Sequence, residues 1–240
     1  MVKKKVYSYS RLTTFEQCPK QWFYSYIDEI GGETNFYANY GLFAHFLFEA
    51  VDKGKIAPSE CEGLWRDYYD KRVLDISPEI PPWADKWKAD GFWFWQDFDG
   101  LEEETVWAEK HFVLDFGGFK FQGHIDRLKV NKDGDFGMVD YKSSKPFKGK
   151  DIESKSRQLY LYARAVKEKF GKYPKTLEFW HFRQNKRTLV PFSLKDYNKA
   201  VKWAKGVVKD IESEGDWQAN PNHFFCRSLC DFRLICPERA

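Results

Sequence analysis

Apolar and polar residues follow two different periods along the chain, and the change of period separates helical from β-rich stretches. Residues 6–10 alternate as a short extended segment, and apolar residues at helical spacing then continue to about residue 28, with Ser10 placed to cap the helix. A second helix is predicted from about Tyr40 to Val51. The predicted strands are 105–112, 113–116, 119–130, 136–142, 176–182 and 187–192, and the predicted later helices are 155–170 and 194–214.

This order of elements predicts an α/β protein in which a mixed central sheet is flanked by helices. Residues 52–100 differ from the rest, because prolines interrupt them and tryptophans are frequent there. We expect them to form an insert of amphipathic helices packed through aromatic rings. The chain of 240 residues is long enough to bury a sizeable core, so we expect 1–240 to be a single domain with 101–192 as its core.

Composition and charge exclude several classes of protein. Lys and Arg number 39 against 36 Asp and Glu, and the net charge of +3 excludes a polybasic or acidic tail protein. Aromatic residues make up 19% of the chain, which excludes intrinsic disorder. There is no apolar run of about 18 residues and no apolar stretch after the charged N-terminus, so we expect a cytoplasmic protein without a membrane partner.

Two predicted neighbouring strands carry a set of two acids and a lysine. Asp126 lies on one strand, and Asp140 and Lys142, two apart, lie on the next, so that Tyr141 points to the opposite face. Two carboxylates a few ångströms apart repel each other unless a divalent cation lies between them. A lysine beside that cation can orient or deprotonate a water, or neutralise charge developing on a phosphorane. The set predicts metal-assisted phosphodiester hydrolysis, although an isolated Asp-x-Lys is more often a solvated ion pair.

Residues on two predicted helices extend this set. The imidazole of His45 can complete a metal shell, whereas a lone helical histidine is more often a hydrogen-bonded core residue. Glu49 follows four residues later on the same helical face. Gln158 and Tyr162, also four apart, can contact a phosphate or nucleobase or hold Lys142 in place. Otherwise Gln158 is an ordinary surface residue and Tyr162 a core residue.

The five cysteines are distributed unevenly. Cys226, Cys230 and Cys236 lie within the last fifteen residues, while Cys18 and Cys61 stand alone. In a reducing compartment this crowding favours ligation of a metal or cluster over disulfides. Thiolates bind zinc and iron–sulfur clusters alike, so the cysteines by themselves do not identify the metal.

A series of ordered motifs makes the chain resemble the PD-(D/E)xK nuclease superfamily, in the branch shared by RecB and AddB nuclease domains and the CRISPR-associated iron–sulfur exonucleases. The motifs are Ser8-Tyr9-Ser10-Arg11-Leu12 leading to Phe15 and Cys18-Pro19, Gly41-Leu42-Phe43-Ala44-His45, Gly123-His124-Ile125-Asp126-Arg127, Val139-Asp140-Tyr141-Lys142, Gln158-Leu159-Tyr160-Leu161-Tyr162, and Cys226, Cys230 and Cys236-Pro237. They span nearly the whole chain, although residues 55–100 match none of them.

The resemblance implies a restriction-endonuclease-like core and a role for each motif. The implied ligands of Mn²⁺ or Mg²⁺ are His45, Asp126, Asp140 and the carbonyl of Tyr141. The implied catalytic residues are Asp126, Asp140, Lys142, Gln158 and Tyr162, with Lys142 as the catalytic lysine. From its position alone we add Glu49 as an extra acid outside the ligand set.

The resemblance also implies a structural [4Fe–4S] cluster. Its implied ligands are Cys18, Cys226, Cys230 and Cys236. Such a cluster would pin residues 1–30 and 215–240 together as a cap. One feature departs from the usual pattern of these nucleases, because three residues rather than two separate Cys226 from Cys230. We expect Cys61 to be a free core thiol.

The predicted function is that of a metal-dependent DNA nuclease, most simply an exonuclease acting on single-stranded ends. Lys145, Lys148 and Lys150 follow the catalytic strand and can hold phosphates. Tryptophans of the insert can stack unpaired bases, although packing is their commoner use. The sequence has no P-loop and hence no built-in helicase motor.

Several settings and two alternative functions stay open on the sequence alone. The settings are CRISPR spacer acquisition, DNA repair or recombination, and phage DNA processing, with protein partners in the CRISPR adaptation or recombination machinery. The alternative functions are a catalytically inactive DNA-binding module and a zinc-stabilised scaffold of the same fold.

Overall fold

A computed structural model describes residues 6–32 and 34–238 and confirms the predicted α/β class, with a mixed sheet flanked by helices. The strands are β1 (Val6–Ser8), β2 (Glu104–Asp115), β3 (Lys120–Val130), β4 (Phe136–Lys142), β5 (Thr176–His181) and β6 (Lys186–Pro191). The helices are α1 (Tyr9–Gln17), α2 (Pro19–Tyr26), α3 (Phe36–Asp52), α4 (Cys61–Tyr69), α5 (Ala84–Gln96), α6 (Lys150–Phe170), α7 (Leu194–Ser213) and α8 (His223–Ser228).

Within the described ranges, no helix combines the length and the apolar character that crossing a membrane requires.

The chain divides into two compact units. The first contains the described residues of Met1–Asn35, Val113–Gly123 and Lys199–Ala240, and the second contains Phe36–Phe112 and His124–Asn198. The expectation of a single domain over 1–240 stays a prediction.

The sheet of the second unit places β4 between two neighbours. β4 is antiparallel to β3, with Leu128 opposite Met138, and parallel to β5, with Lys142 opposite His181. A parallel pair needs a long crossover, and α6 supplies it between β4 and β5. β6 pairs with the other side of β5 in antiparallel fashion. Because β3 and β4 are adjacent, the two acid-bearing strands of the sequence analysis do lie side by side.

Helix α6 has end signals in its sequence that fit its observed bounds. Asp151 lies in its first turn and Lys167 in its last, which complements the helix dipole. Gly171 ends the helix in the left-handed conformation, with φ of 76°, which glycine adopts without a Cβ penalty. The helix begins five residues earlier than position 155, where the sequence pattern predicts it.

An aromatic core fills the space between the sheet and helices α3, α4 and α5 of the second unit. Period-two alternation sends Val139 and Tyr141 of β4 to this side, and the ring of Tyr141 stacks on Phe48 with centroids 3.8 Å apart. Trp65 and Trp95 are buried in the same core. These two tryptophans of the insert therefore serve packing, as is common for large aromatic side chains.

In the first unit, β1 runs parallel to the start of β3, with Tyr7 opposite Phe121. Helix α1 follows at once, and its N-cap is Ser8, whose extended backbone lets the side chain accept a hydrogen bond from the Arg11 amide at 3.1 Å. The prediction that Ser10 caps this helix is therefore wrong. The predicted single helix is also divided at Cys18, because Pro19 has no amide hydrogen and starts α2 instead.

Two glycines of the helical insert allow a matched test of this packing. A Cβ on Gly91 of α5 would lie 2.8 Å from Tyr40 Oη and in closer collision with the Trp65 ring, whereas a Cβ on Gly63 of α4 would meet only Arg66 Nη2 at 3.7 Å. We expect Gly91→Ala to lower the free energy of unfolding by about 1–3 kcal/mol through overpacking. Gly63→Ala should raise it by about 0.5–1 kcal/mol through helix propensity. Urea denaturation measures both, and effects of the same sign would contradict the packing.

Candidate active site

Three elements of the second unit bring potential metal ligands to one point. His45 comes from α3, Glu109 from β2 and Asp126 from β3, and one ligand atom from each lies within 4.8 Å of the other two. His45 Nδ1 is 3.0 Å from Glu109 Oε1 and 3.7 Å from Asp126 Oδ2. Among the described residues no other three potential ligands come this close together. We call His45, Glu109 and Asp126 the ligand triad.

The backbone of Tyr141 on β4 completes the arrangement. Its carbonyl oxygen lies 3.1 Å from His45 Nε2, and its amide donates a hydrogen bond of 2.8 Å to Asp126 Oδ2. The structure therefore brings together three of the predicted ligands, the imidazole of His45, the carboxylate of Asp126 and the carbonyl of Tyr141. Nitrogen and oxygen donors of this kind suit Mn²⁺ and Mg²⁺, so the donor set fits a divalent cation.

The side chains of Asp140 and Lys142 lie on one face of β4 and the Tyr141 ring lies on the opposite face, as alternation predicts. Lys142 Nζ is 2.6 Å from Asp140 Oδ2 and donates a hydrogen bond of 3.4 Å to Gln158 Oε1 on α6. Gln158 thus holds Lys142 in place, which is one of the two uses considered for it from the sequence. In this arrangement Asp140 is paired with Lys142 and is not part of the ligand triad, so its role as a metal ligand stays a prediction.

Two further residues predicted from the sequence are Tyr162 and Glu49. Tyr162 is buried, and its ring lies 5.1 Å from that of Phe112, edge to face. Glu49 forms an ion pair with Lys53, four residues on along α3. Their functional roles stay predictions.

Glu109 is the member of the ligand triad that the sequence analysis missed. Its φ of 48° is left-handed inside a strand, a conformation that costs a non-glycine residue about 1–3 kcal/mol. A signal was available in the hairpin register. The Phe116 amide bonds the Phe119 carbonyl, and counting seven residues outward on each side puts Glu109 opposite Asp126.

Electrostatics at the ligand triad favour a bound cation. Burial by itself would lower the pKa of His45, but Asp126 and the hydrogen bond with Glu109 outweigh it and raise this pKa to about 9. Burial raises the pKa of Asp126; His45 opposes that rise and Asp140 adds to it. The Asp126 carboxylate is therefore costly to hold charged without a positive partner. A metal that binds His45 requires the neutral ring, so binding releases a proton.

Lys142 remains a cation in this environment. Burial would lower its pKa, but the carboxylates of Asp140 and Asp126 raise it overall. The ammonium form is thereby favoured near neutral pH. Lys142 is placed to donate hydrogen bonds and to neutralise negative charge rather than to accept a proton.

A buried ion pair behind the ligand triad fixes α3 against the sheet. Asp52 lies seven residues after His45 on α3, and its Oδ1 is 3.0 Å from the Arg127 Nε on β3. The same oxygen accepts a hydrogen bond from Thr105 Oγ1, and the Tyr141 hydroxyl donates to Oδ2 at 3.4 Å. Both charged side chains are at least 98% buried, and removing one partner of such a pair costs about 3–5 kcal/mol. The pair therefore sets where His45 meets Asp126.

Four cysteines of the first unit line one pocket. They are Cys18, Cys226, Cys230 and Cys236, and all are free thiols. The Asn220 amide donates to Cys18 Sγ at 3.5 Å, and the Asn222 amide donates to Cys226 Sγ at 3.3 Å. Among the described residues, no three of these sulfurs lie within 4.8 Å of one another.

Comparison with known families identifies the fold family. A family model described as the PD-(D/E)XK nuclease superfamily matches residues 6–237. The chain belongs to the PD-(D/E)XK nuclease superfamily. This membership confirms the restriction-endonuclease-like assignment and implies a metal-dependent nuclease that acts on DNA with Mg²⁺ or Mn²⁺. The RecB/AddB-like branch stays a prediction.

Searches of individual proteins add little to this assignment. One solved structure, described as "Crystal structure of SSO0001", is similar over 83% of this chain and 98% of that chain, with 18% sequence identity and a TM-score of 0.37. A search of curated proteins finds no significant match.

The PD-(D/E)XK site of this chain predicts that Glu109 contributes to metal binding. Glu109→Gln should weaken Mn²⁺ affinity by at least about tenfold, because the amide removes a charged donor next to His45 and Asp126. A titration that follows the electron paramagnetic resonance signal of free Mn²⁺ measures the affinity. Glu104→Gln, an exposed change on the same strand, is the control and should leave affinity unchanged. Equal affinities in all three proteins would remove Glu109 from the ligand set.

Proposed function

We propose that this protein is a Mn²⁺- or Mg²⁺-dependent exodeoxyribonuclease that acts on single-stranded DNA ends. The observation that carries the proposal is the meeting of His45, Glu109 and Asp126 within 4.8 Å, with the Lys142 ammonium on the neighbouring strand. Two acids and an imidazole can hold a divalent cation, and a separate lysine can neutralise charge that develops during phosphodiester hydrolysis.

The ligand triad and the Tyr141 carbonyl would hold the cation, which when bound supplies Lewis-acid polarisation of the scissile phosphate. Asp126 Oδ2 accepts a hydrogen bond from the Tyr141 amide, which would hold this carboxylate in position. His45 contributes a ring nitrogen once it has lost its proton. The buried pair of Asp52 and Arg127 keeps these donors at fixed separations, which preorganises the site.

Lys142 would act on the charge that develops during the reaction. Its ammonium is held between Asp140 Oδ2 and Gln158 Oε1, so its position is fixed before substrate binds. From there it can donate to an oxygen of the phosphate as negative charge accumulates. Asp140 then serves to position Lys142 and to keep it protonated, which is a use additional to the predicted ligation of metal.

Basic residues beside the site support a nucleic-acid substrate. Lys145, Lys148 and Lys150 are exposed on the loop that follows Lys142 and at the start of α6. Lysines in this position can contact phosphates of a strand that leads into the site. Preference for a single strand and for an end is part of the proposal.

A catalytically inactive DNA-binding module is the second candidate considered. The presence of Asp126, Asp140 and Lys142 together favours the enzyme, because a binding module does not need these residues.

A digestion series on end-labelled single-stranded, duplex and circular DNA with Mn²⁺ or Mg²⁺ tests the proposal. We expect mononucleotides or short oligonucleotides from the linear single strand and no cleavage of the circle. Absence of cleavage of every substrate would favour the binding module.

Lys142→Ala is the sharpest test of the mechanism. We expect kcat to fall by about 10²–10³-fold, as for loss of one donor to a developing oxyanion, while Mn²⁺ affinity changes little. Lys132→Ala, an exposed change in the turn before β4, is the control and should keep full activity. A Lys142→Ala protein with the turnover of the control would exclude Lys142 from the chemistry.

We further propose that Cys18, Cys226, Cys230 and Cys236 hold a structural [4Fe–4S] cluster. Their shared pocket and their free thiols support a thiolate-bound group. Amides directed at Cys18 and Cys226 would stabilise the thiolates. Burial raises the pKa of Cys230 to about 11, and Cys18 nearby adds to this, so binding must displace a proton.

Cys230→Ala should remove the cluster and with it stability of the first unit. Protein purified without oxygen should lose iron and its broad visible absorption, and the melting temperature should fall, because a group that binds only the folded chain stabilises it. Cys61→Ala is the control, since Cys61 is buried in the aromatic core of the second unit and does not line the pocket. Wild-type protein with zinc and no iron would contradict the cluster.

A further inference from the structure

Two exposed apolar side chains of α3 lie close to His45 along the helix. Leu42 and Phe46, four residues apart, are neighbours on the helix surface, and Leu42 is also a neighbour of His45, which follows it by three residues. Their exposed fractions are 66% for Leu42 and 49% for Phe46, although most other apolar residues of this helix are buried. Phe46, next to a candidate metal ligand in the sequence, is not part of the aromatic core of the second unit, so packing in that core does not stabilise its exposed ring.

A guanidinium lies over the ring of Phe46. Arg72, in the helical turn of Asp70–Leu74 after α4, has its Cζ 5.6 Å from the centroid of that ring. Arg72 is itself exposed, and in the described part of the chain its guanidinium forms no ion pair with a carboxylate. A positive planar group and an aromatic ring thus stand together at the turn of α3 that carries His45.

This pairing has the chemistry of a nucleobase site. Unpaired bases are held by stacking on aromatic rings and on guanidinium planes, and the same guanidinium can contact a phosphate. In a nuclease that hydrolyses a phosphodiester at the ligand triad, the nucleotide next to the scissile phosphate must place its base close to the metal ligands. Phe46 is one residue from such a ligand.

We propose that Phe46 and Arg72 form a stacking site for the base of the nucleotide adjacent to the scissile phosphate, with Leu42 extending its apolar surface. The inference rests on the proposed nuclease function and specifies how that site would select an unpaired strand. A base within a duplex is stacked and paired, so its ring faces are not available to Phe46. The positive charge of Arg72 matches a polyanionic strand, which favours DNA over a second copy of this chain as the occupant.

The test combines removal of the ring with removal of the base. Binding of a labelled oligothymidylate, and of the same oligonucleotide with abasic positions at its end, is measured by fluorescence anisotropy in EDTA so that no cleavage occurs. We expect Phe46→Ala to weaken binding of oligothymidylate by roughly 5- to 100-fold, the range for loss of one stacked base. The variant should bind the abasic strand as the wild type does. Phe46→Trp should keep or improve binding of oligothymidylate.

Trp93→Ala is the matched control, because Trp93 is an aromatic residue of α5 with 59% exposure. It should leave both affinities unchanged. Arg72→Gln should weaken binding of both strands, since it removes a charge as well as a stacking plane.

Each outcome distinguishes this inference from the nuclease proposal. If wild type and Phe46→Ala distinguish oligothymidylate from the abasic strand equally well, the stacking site is wrong even if Mn²⁺-dependent cleavage is observed. If the wild type cleaves no DNA, the nuclease proposal fails whatever the anisotropy shows. Sedimentation velocity tests whether a second copy of this chain occupies the patch instead. If the wild type is a dimer that Phe46→Ala dissociates without changing DNA affinity, the patch is a self-association surface and the inference is overturned.

Discussion

The contact of His45 with Asp126, Glu109 and the Tyr141 carbonyl is the constraint on which the rest of the site depends. It joins a helix to three strands, and each partner contributes an atom that a divalent cation could use. The aromatic core and the buried pair of Asp52 and Arg127 hold α3 at the distance that this contact needs. The helical insert, which lacks any recognisable motif, therefore acts on the site through packing.

Charge balance explains why these groups tolerate each other. Asp126 and Glu109 raise the pKa of His45 and so favour its positively charged form. Asp140 forms an ion pair with the Lys142 ammonium. In the proposed mechanism the first group, from α3, β2 and β3, would hold a cation, and the pair on β4 would stabilise developing charge. Asp140 and Asp126 raise the pKa of Lys142, so the same carboxylates that favour cation binding also keep the lysine protonated.

The sequence could predict those parts of the site that follow from strand alternation and motif order. Period two was enough to place Asp140 and Lys142 on one face and Tyr141 on the other. Alternation did not single out Glu109, because its left-handed φ inside a strand has no sign in the sequence pattern, and only the hairpin register indicates that it lies opposite Asp126. The sequence analysis also misplaced the cap of α1, because Ser8 and Ser10 are equally good capping residues and only the extended backbone of Ser8 distinguishes them.

The most direct test of this account is the location of Mn²⁺ in a crystal of the wild-type protein by anomalous scattering. The account predicts a peak within coordination distance of the side chains of His45, Glu109 and Asp126 and of the Tyr141 carbonyl oxygen. A protein that cleaves DNA with Mn²⁺ but shows its anomalous peak elsewhere, or none between these residues, would contradict it.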